Sequence, residues 1–446
     1  MGFCKDFVWG AASAAIQIEG AAYEDGKAPS LWDVYARYPG AVYRSQNADT
    51  ACDHYHRFQE DVALMKRIGL NAYRYSISWP RVIPQGTGEV NQKGLDFYDR
   101  LLDALLEAGI EPYLTLFHWD YPYALYQKGG WMNPDSPNWF AAYADRITRR
   151  YGDRVKHFIT INEPECFVGA FESGELAPFY RVHRRDYLQM AHNALLGHGK
   201  AVQAVRANCP GAACGFAATN WLKYPITDDP ENVELARKRC FELNEPTVTS
   251  FPWWTEAVYL GRYPAAAMAA AGPDMPVIGQ NDMALISQPL DFFGMNHYTG
   301  IPVAPDGTQG DPVFSDNAPR STYDWPLQPR AFYYAAKFMY ERYGLPILVT
   351  ENGYSGNDLV SADGKVHDAY RIEQLSSYLK ALRRAADEGV PVLGYFHWAL
   401  MDNFEWAQGY GKRFGLAYVN FDTQERILKD SGTYYRKVIE SNGDIL

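Results

Sequence analysis

The chain has 446 residues, 47% of them hydrophobic, and 53 acidic against 42 basic side chains give a formal net charge of −11. This length and apolar content suffice for a large buried core, and no apolar run is as long as a transmembrane helix, which argues against a membrane protein. The negative charge would repel phosphate backbones, so nucleic acid is not an expected partner.

Short apolar segments alternate with amphipathic helical segments from one end of the chain to the other. In chain order the predicted strands are FVWGAAS from Phe7, NAYRYSISW from Asn71, IEPYLTLFHW from Ile110, HFITINE from His157, ACGFAATNW from Ala213, LDFFGMNHY from Leu290, PILVTE from Pro346 and VPVLGYFHW from Val390. Helical periodicity between them is clearest over residues 57–68, 93–109 and 369–389. Strands alternating with helices in this way predict an α/β protein, with a single (β/α)8 TIM barrel over residues 1–446. The longest intervals, after Trp221 and after Tyr298, predict extra helices or long strand-to-helix loops.

Polar and aromatic residues stand near the carboxyl ends of these apolar strands. In barrels of this type the ligand lies at that end, where the strand-to-helix loops meet. We therefore predict a site that contains Gln17, Arg74, His118, Trp119, Asn162, Glu163, Asn296, Tyr298, Glu351 and Trp398.

Two of these residues form a candidate pair of catalytic carboxylates. Glu163 in TINEP and Glu351 in VTENG end the fourth and seventh predicted strands. Across a closed barrel they would face each other, one to attack an anomeric carbon and the other to protonate the departing oxygen. A solvated loop position or an ion pair is the alternative for any single Glu, but an Asn beside each carboxylate and the cation of Arg74 favour a catalytic pair.

Four segments of the chain, in this order, resemble glycoside hydrolase family 1, the β-glucosidase family. They are FVWGAASAAIQIEGA, TINEP, VTENG and DNFEWAQGYGKRFGL, and the resemblance covers essentially the whole chain. The resemblance implies a retaining β-glycosidase in which Glu163 is the general acid/base and Glu351 is the nucleophile. It also implies that Arg74 and Tyr298 orient and stabilise Glu351, and that Asn162 bonds the sugar 2-hydroxyl.

The same resemblance implies a set of residues that bind the non-reducing sugar. Trp398 would form the stacking floor, and a cis peptide is expected between Trp398 and Ala399. No cofactor and no metal are implied, because two carboxyl groups and water complete the reaction. The residues expected to bind substrate are Gln17, His118, Trp119, Asn162, Asn296, Tyr298, Trp398, Glu405, Trp406 and Phe414.

The chain departs from the family pattern on the leaving-group side. The family usually has Trp after the NEP motif, whereas this chain has Glu165, and Tyr121 stands where Leu is more usual. We therefore expect an unusual leaving-group site, more polar at Glu165 and compensated by aromatic residues such as Tyr121 and Trp325. These departures leave the leaving-group preference of this chain open, and cleavage of β-galactosides or β-fucosides beside β-glucosides also stays open.

Two other functions stay open at this point. A 6-phospho-β-glycosidase would need a phosphate site, for which Lys412 and Arg413 are candidates. Relatives that act on 6-phosphoglycosides have small and basic residues where this chain has Glu405 and Trp406, and a carboxylate there would repel a phosphate dianion. The expected substrate is therefore an unphosphorylated β-glucoside or oligosaccharide. A non-catalytic sugar-binding barrel is the second alternative, but such a protein would not need both carboxylates.

The cysteines and the start of the chain bear on the compartment. Six cysteines without a C-x-x-C motif predict free thiols rather than a disulfide framework or a thiolate metal site. The first residues, MGFCKDFVWGAAS, lack a basic segment followed by a continuous apolar stretch. We therefore expect no secretory signal and a cytoplasmic enzyme.

Overall fold

The computed structural model describes residues 3–446. Eight parallel strands close into a barrel in which each strand pairs with its neighbours along the chain and the last strand pairs with the first. In chain order they are β1 Val8–Ala12, β2 Ala72–Ser76, β3 Glu111–Phe117, β4 His157–Asn162, β5 Ala213–Thr219, β6 Phe292–Asn296, β7 Ile347–Asn352 and β8 Val392–Trp398. Seven strands lie within the predicted apolar segments and β7 extends one residue beyond its segment, to Asn352, so the predicted (β/α)8 barrel is confirmed.

A helix packs outside the barrel after each strand. In chain order these helices are α1 His54–Ile68, α2 Gln92–Glu107, α3 Ser136–Tyr151, α4 Arg184–Asn208, α5 Phe251–Leu260, α6 Pro329–Tyr343, α7 Ala369–Asp387 and α8 Asp430–Glu440. In α2 the leucines Leu95, Leu102 and Leu105 recur on one face and are buried, and Gly109 follows the helix with a φ of 74°. Apolar side chains at this spacing form one face of the helix, which packs against the barrel. Glycine accepts the left-handed backbone conformation that follows the end of the helix.

Shorter elements lie in the loops over the carboxyl end of the barrel and in the long intervals. Short helices cover Ala15–Ile18, Leu31–Tyr35, Trp79–Val82, Tyr123–Tyr126, Pro164–Phe167, Gly169–Ser173, Pro230–Phe241, Ala265–Ala271 and Asp282–Ile286. Small two-stranded sheets pair Lys223–Pro225 with Ile301–Val303 and Ala417–Val419 with Arg426–Leu428. The extra elements expected after Trp221 and Tyr298 are therefore present. Among the described residues, no helix combines the length and apolar character needed to cross a membrane.

Apolar side chains fill the interior of the barrel below the site. Tyr113, Ile159, Phe292, Leu348 and Phe396 form a buried cluster there. β5 passes close to one of them, because a Cβ at position 215, which is Gly in this chain, would lie 2.1 Å from the Phe292 ring. This packed floor leaves only the carboxyl ends of the strands available for polar side chains.

Irregular strand pairing occurs where the polar residues begin. The β4/β5 register shifts between Ile159 and Asn162, and the β6/β7 register shifts between Met295 and Asn296. Such bulges re-aim the side chains that follow them and are frequent beside active sites. The two asparagines are thereby brought into contact across the end of the barrel.

Candidate active site

A cavity of about 460 Å³ opens at the carboxyl end of the barrel. Carboxylates and aromatic rings share its walls, which is a composition suited to a ligand with both hydroxyl groups and flat apolar faces. The predicted residues that line it are His118, Trp119, Glu163, Tyr298, Trp325, Glu351, Trp398, Glu405, Trp406 and Phe414. Arg74, Asn162, Asn296 and Gln17 lie beneath or beside this lining, and all four are buried.

Glu351, the second-last residue of β7, is held by a cation and a hydroxyl group. Arg74 Nη1 donates to Glu351 Oε1 at 2.5 Å, and the Tyr298 hydroxyl donates to Oε2 at 2.8 Å. Arg74 reaches this position from the middle of β2, and its other nitrogens donate to Asn162 and Thr115. Both oxygens of Glu351 are thus fixed by donors that favour the carboxylate form.

Glu163 has different surroundings. It follows β4 with a left-handed φ of 44°, and the short helix Pro164–Phe167 begins directly after it. Asn296 Nδ2 donates to Glu163 Oε1 at 2.9 Å, and the Cys166 thiol lies 3.6 Å from Oε2. In the part of the chain that the structure describes, no basic side chain pairs with Glu163. Neutral donors alone therefore hold this carboxyl group.

These surroundings separate the proton affinities of the two carboxyl groups. Burial, followed by the negative charge of Glu351, raises the pKa of Glu163 to about 8. Burial also raises the pKa of Glu351, but the Arg74 cation and the Tyr298 hydroxyl oppose this rise. Around neutral pH, Glu163 is the group that carries a proton, and Glu351 is the group favoured as the anion.

Asn162 connects the catalytic carboxylates to the sugar-binding side of the cavity. Its Oδ1 accepts from Arg74 and from Asn296 Nδ2, the latter at 3.0 Å. Its Nδ2 lies 3.1 Å from His118 Nε2, and its backbone oxygen accepts from Trp119 Nε1 at 2.9 Å. Asn162 therefore fixes the positions of residues from β2, from β6 and from the segment that follows β3.

Two buried polar atoms at the site have no hydrogen-bond partner among the described residues: His118 Nδ1 and Gln17 Oε1. Burial, and then the Arg74 cation, lower the pKa of His118 well below its usual range, so the imidazole is neutral. Because Nε2 accepts from Asn162, we place the proton on Nδ1, which is then an unused donor. An unused donor and an unused acceptor are what a hydroxyl-bearing ligand requires.

Glu405 and its neighbours form a second acidic part of the cavity. The Tyr323 hydroxyl donates to Glu405 Oε1 at 3.2 Å, and Gln17 Nε2 lies 3.4 Å from Oε2. Burial raises the pKa of Glu405 to about 8, opposed first by the Tyr323 hydrogen bond. Tyr323 was not predicted, because it belongs to the long segment after Tyr298, which has no periodicity or motif that marks it.

Aromatic rings form the remaining walls. Trp398 stacks with His118 at a centroid distance of 5.8 Å, and the peptide between Trp398 and Ala399 is cis, as expected. Trp119 packs on Trp406 at 4.4 Å. At the mouth, Trp325 contacts the exposed ring of Trp221 at 6.0 Å. Flat faces thus line the cavity from its floor to its rim.

Two of the expected leaving-group residues, Glu165 and Tyr121, do not line this cavity. Glu165 is buried but is not part of the lining, whereas the next residue, Cys166, is. Neighbouring residues of a helical turn point about 100° apart, and here Cys166 is the one that lines the cavity. Tyr121 instead packs on Trp131 at 5.2 Å and lines a neighbouring cavity. Of the three expected residues, Trp325 alone borders the candidate site.

The two basic residues considered for phosphate binding have other partners. Lys412 Nζ donates to the backbone oxygen of Thr322. Arg413 Nη1 pairs with Asp402 Oδ2 at 2.6 Å and also donates to a backbone oxygen. Neither side chain lines the cavity.

Comparisons with known proteins agree with this geometry. The model of Glycosyl hydrolase family 1 matches residues 1–444. β-Glucosidase A of Acetivibrio thermocellus is 42% identical over 452 residues, covering 99% of each chain. An aryl-phospho-β-D-glucosidase of Bacillus subtilis is 38% identical and covers 100% of this chain and 98% of its own. The solved structure of a Thermotoga maritima β-glucosidase in complex with glucoimidazole superposes with a TM-score of 0.91 at 40% identity, covering 99% of each chain. The chain belongs to glycosyl hydrolase family 1, a family of retaining enzymes, and is a hydrolase that acts on O-glycosyl bonds.

Proposed function

We propose that this enzyme is a β-glucosidase that releases terminal non-reducing β-D-glucosyl residues from cellobiose, other oligosaccharides or aryl and alkyl β-glucosides, with retention of configuration. The observation that carries the proposal is the unequal environment of the two carboxyl groups. Glu351 is held by the cation of Arg74, whereas Glu163 is held by neutral donors and has a pKa raised to about 8. A double displacement needs this combination of an anionic nucleophile and a protonated acid.

In the first step, an oxygen of Glu351 attacks the anomeric carbon while the bond to the leaving-group oxygen breaks. The bonding pair stays on that oxygen, which takes the proton of Glu163. In the second step, Glu163 accepts a proton from water as the water oxygen attacks the anomeric carbon and the Glu351 ester bond breaks. Each carboxyl group ends in its starting form, and no cofactor is consumed.

The sugar contacts follow from the free atoms of the cavity. We assign His118 Nδ1 as a donor and Gln17 Oε1 as an acceptor to sugar hydroxyl groups, since neither has a protein partner. Trp398 would stack under the ring, and Glu405 would bond vicinal hydroxyls. Asn162 would bond the 2-hydroxyl. Trp119, Asn296, Tyr298, Trp406 and Phe414 complete the proposed binding set, with Trp325 on the leaving-group side.

We favour an unphosphorylated glucoside over a 6-phosphoglucoside. The relative from Bacillus subtilis is named as a phospho-glucosidase, so the question is open for a chain of this family. Here Glu405 lies in the cavity, and Lys412 and Arg413 are engaged with Thr322 and Asp402. A phosphate dianion would meet a carboxyl group without a free cation beside it.

The test is release of nitrophenol from p-nitrophenyl β-D-glucoside by the purified protein, beside a Glu351→Gln variant prepared in the same way. We expect turnover by the unaltered enzyme and its loss in the variant, without loss of folding. Faster turnover of the 6-phosphoglucoside by the unaltered enzyme would favour the phospho-glycosidase. Binding of glucose without turnover of either substrate would favour a non-catalytic barrel.

We also infer that the enzyme acts in the cytoplasm on small sugars, in the breakdown of cellulose-derived and related β-glucosides. All six cysteines are free thiols, and four of them are buried, which suits a reducing compartment. Residues 1–446 would act as one catalytic unit, because β1 and β8 come from opposite ends of the chain and pair directly. Fractionation of cells with an antibody against the protein tests the location.

A further inference from the structure

A second cavity of about 510 Å³ lies beside the active-site cavity, between the loops that follow β3 and β4. We call it the side cavity. Trp119 and Leu176 belong to the walls of both cavities, so one indole and one leucine separate them. A volume of this size is within the range of sites for small organic molecules.

The walls of the two cavities differ in chemistry. Glu163, Glu351 and Glu405 line the active-site cavity. Among the described residues, Asp186 is the one charged residue in the walls of the side cavity, and rings such as Phe117 dominate the rest. A hydroxyl-rich sugar would leave its polar groups unpaired there, and an anion would be repelled by Asp186. The lining therefore selects a neutral, largely apolar molecule.

Two hydrogen-bond donors of the side cavity have no acceptor. The Tyr121 hydroxyl and the Trp131 indole nitrogen lack a hydrogen-bond partner among the described residues, although these side chains are only 3% and 5% exposed. The two rings contact each other at 5.2 Å, so both donors belong to one region of the wall. A buried donor without an acceptor is unfavourable, and a ligand oxygen at this place would remove that cost.

We propose that the side cavity is a binding site for a neutral aromatic alcohol or phenol, separate from the sugar site. The aromatic ring would pack between the apolar walls, and its oxygen would accept a hydrogen bond from Tyr121 or Trp131. Stacking on rigid aromatic walls favours a flat ring over a flexible chain, because less conformational entropy is lost. Neither catalytic carboxylate takes part in this binding.

The experiment is calorimetric titration of the full-length protein with 1-naphthol, using one variant for each cavity. Met190 on α4 lines the side cavity but not the active-site cavity, so Met190→Trp fills the first and leaves the second unchanged. Trp221→Ala removes the most exposed aromatic ring of the active-site cavity instead. We expect one saturable site in the unaltered protein, retained in Trp221→Ala and lost in Met190→Trp. Retained turnover of p-nitrophenyl β-D-glucoside by Met190→Trp would show that it folds, and Val182→Trp at the same cavity replaces it if it does not.

A third variant tests the unpaired donor. Tyr121→Phe removes a hydroxyl that has no protein partner, so we expect thermal unfolding at the same or a higher temperature, together with about a two- to tenfold weaker affinity for 1-naphthol. Loss of binding in Trp221→Ala with retention in Met190→Trp would place 1-naphthol in the active-site cavity and overturn the proposal. Absence of saturable binding, or equal binding by all variants, would overturn it as well.

Discussion

Arg74 Nη1 lies 2.5 Å from Glu351 Oε1, and both side chains are almost completely buried. The cation extends from the middle of β2, and the carboxylate stands near the end of β7, so the barrel must close before they meet. Once paired, the cation lowers the free energy of the carboxylate relative to the carboxylic acid. This ion pair is therefore the structural reason for assigning Glu351 as the nucleophile.

The first prediction concerns this ion pair. Arg74→Lys keeps a positive charge but cannot donate to Glu351, Asn162 and Thr350 together. We expect kcat to fall by about 100- to 1,000-fold. The acid limb of the kcat/KM profile should move to higher pH, because the pKa of Glu351 rises as its stabilisation weakens. An unmoved acid limb would mean that Arg74 does not hold Glu351 ionised.

The second prediction concerns the general acid. Glu163→Ala should lower kcat/KM by about 100- to 10,000-fold for substrates with poor leaving groups such as cellobiose. The substitution should lower the rate of the first step far less for 2,4-dinitrophenyl β-D-glucoside, because that leaving group departs without a proton. Sodium azide, which can attack the glycosyl-enzyme without a general base, should restore turnover of the activated substrate. Equal losses on both substrates would argue against Glu163 as the acid.

The third prediction concerns pH. Glu163 must be protonated to act as the acid, and its pKa is raised to about 8, so kcat/KM on cellobiose should fall as pH rises above about 8. Glu405 has a pKa raised to the same range, and its ionisation would alter sugar binding for every substrate. The comparison of cellobiose with 2,4-dinitrophenyl β-D-glucoside separates the two groups. A decline shared equally by both substrates would point to Glu405 instead.

The fourth prediction concerns substrate choice. Glu405→Gln keeps the size of the side chain but removes its ability to become an anion. Above about pH 8, where Glu405 is ionised, we expect kcat/KM for p-nitrophenyl β-D-glucoside to fall by about tenfold, since a hydrogen bond to a charged group contributes about 1.5–3 kcal/mol. The ratio of glucoside turnover to 6-phosphoglucoside turnover should fall, because the repulsion between the Glu405 carboxylate and the phosphate is lost. A ratio that stays constant would show that Glu405 does not exclude the phosphate.

The fifth prediction concerns Glu165, which is buried outside the active-site cavity. Burial raises the pKa of Glu165 well above its ordinary value of 4.5, so the folded protein keeps a proton that the unfolded chain releases. Stability from this group therefore falls as pH rises above the unfolded pKa, and Glu165→Gln avoids that loss. As pH rises above about 5, the variant should become progressively more stable than the unaltered enzyme in thermal or urea unfolding, because only the unaltered enzyme loses this stabilisation.

The control for this prediction is Glu373→Gln, which alters an exposed carboxylate on α7 and should show no pH-dependent gain. Glu165→Gln should also leave the relative rates on cellobiose and aryl glucosides unchanged, because Cys166 rather than Glu165 faces the site. A changed ratio would restore Glu165 as a leaving-group residue. An equal pH-dependent increase in stability in both variants would mean that the effect does not come from the burial of Glu165.

Much of the fold followed from local sequence. The apolar strand segments and the amphipathic helices, such as α2, are local patterns of a few residues. Their alternation predicts a parallel sheet covered by helices, because that arrangement buries the apolar residues of both. The polar residues at strand ends followed from the same reading, because a strand's last residues must lie at the carboxyl end of the barrel. Glu163 and Glu351 could therefore be picked out before any contact was known.

The interior of the site depended on contacts between distant parts of the chain. Asn296 bonds Asn162 and Glu163 across the end of the barrel, after register shifts that no local pattern marks. Tyr323 reaches Glu405 from a long loop whose path is set by packing. The position of Glu165 beside the motif predicts a residue that borders the cavity, whereas in the folded chain Cys166 lines it and Glu165 does not.

The sequence by itself therefore determined the barrel, the order of its strands along the chain and the residue types at their carboxyl ends, because these depend on periodicity and short motifs. Tertiary structure alone decided which atoms meet and which polar atoms are left free for a ligand. It also formed the side cavity behind Trp119. These features depend on distances between loops far apart in the chain, and such distances are set by the packing of the whole molecule.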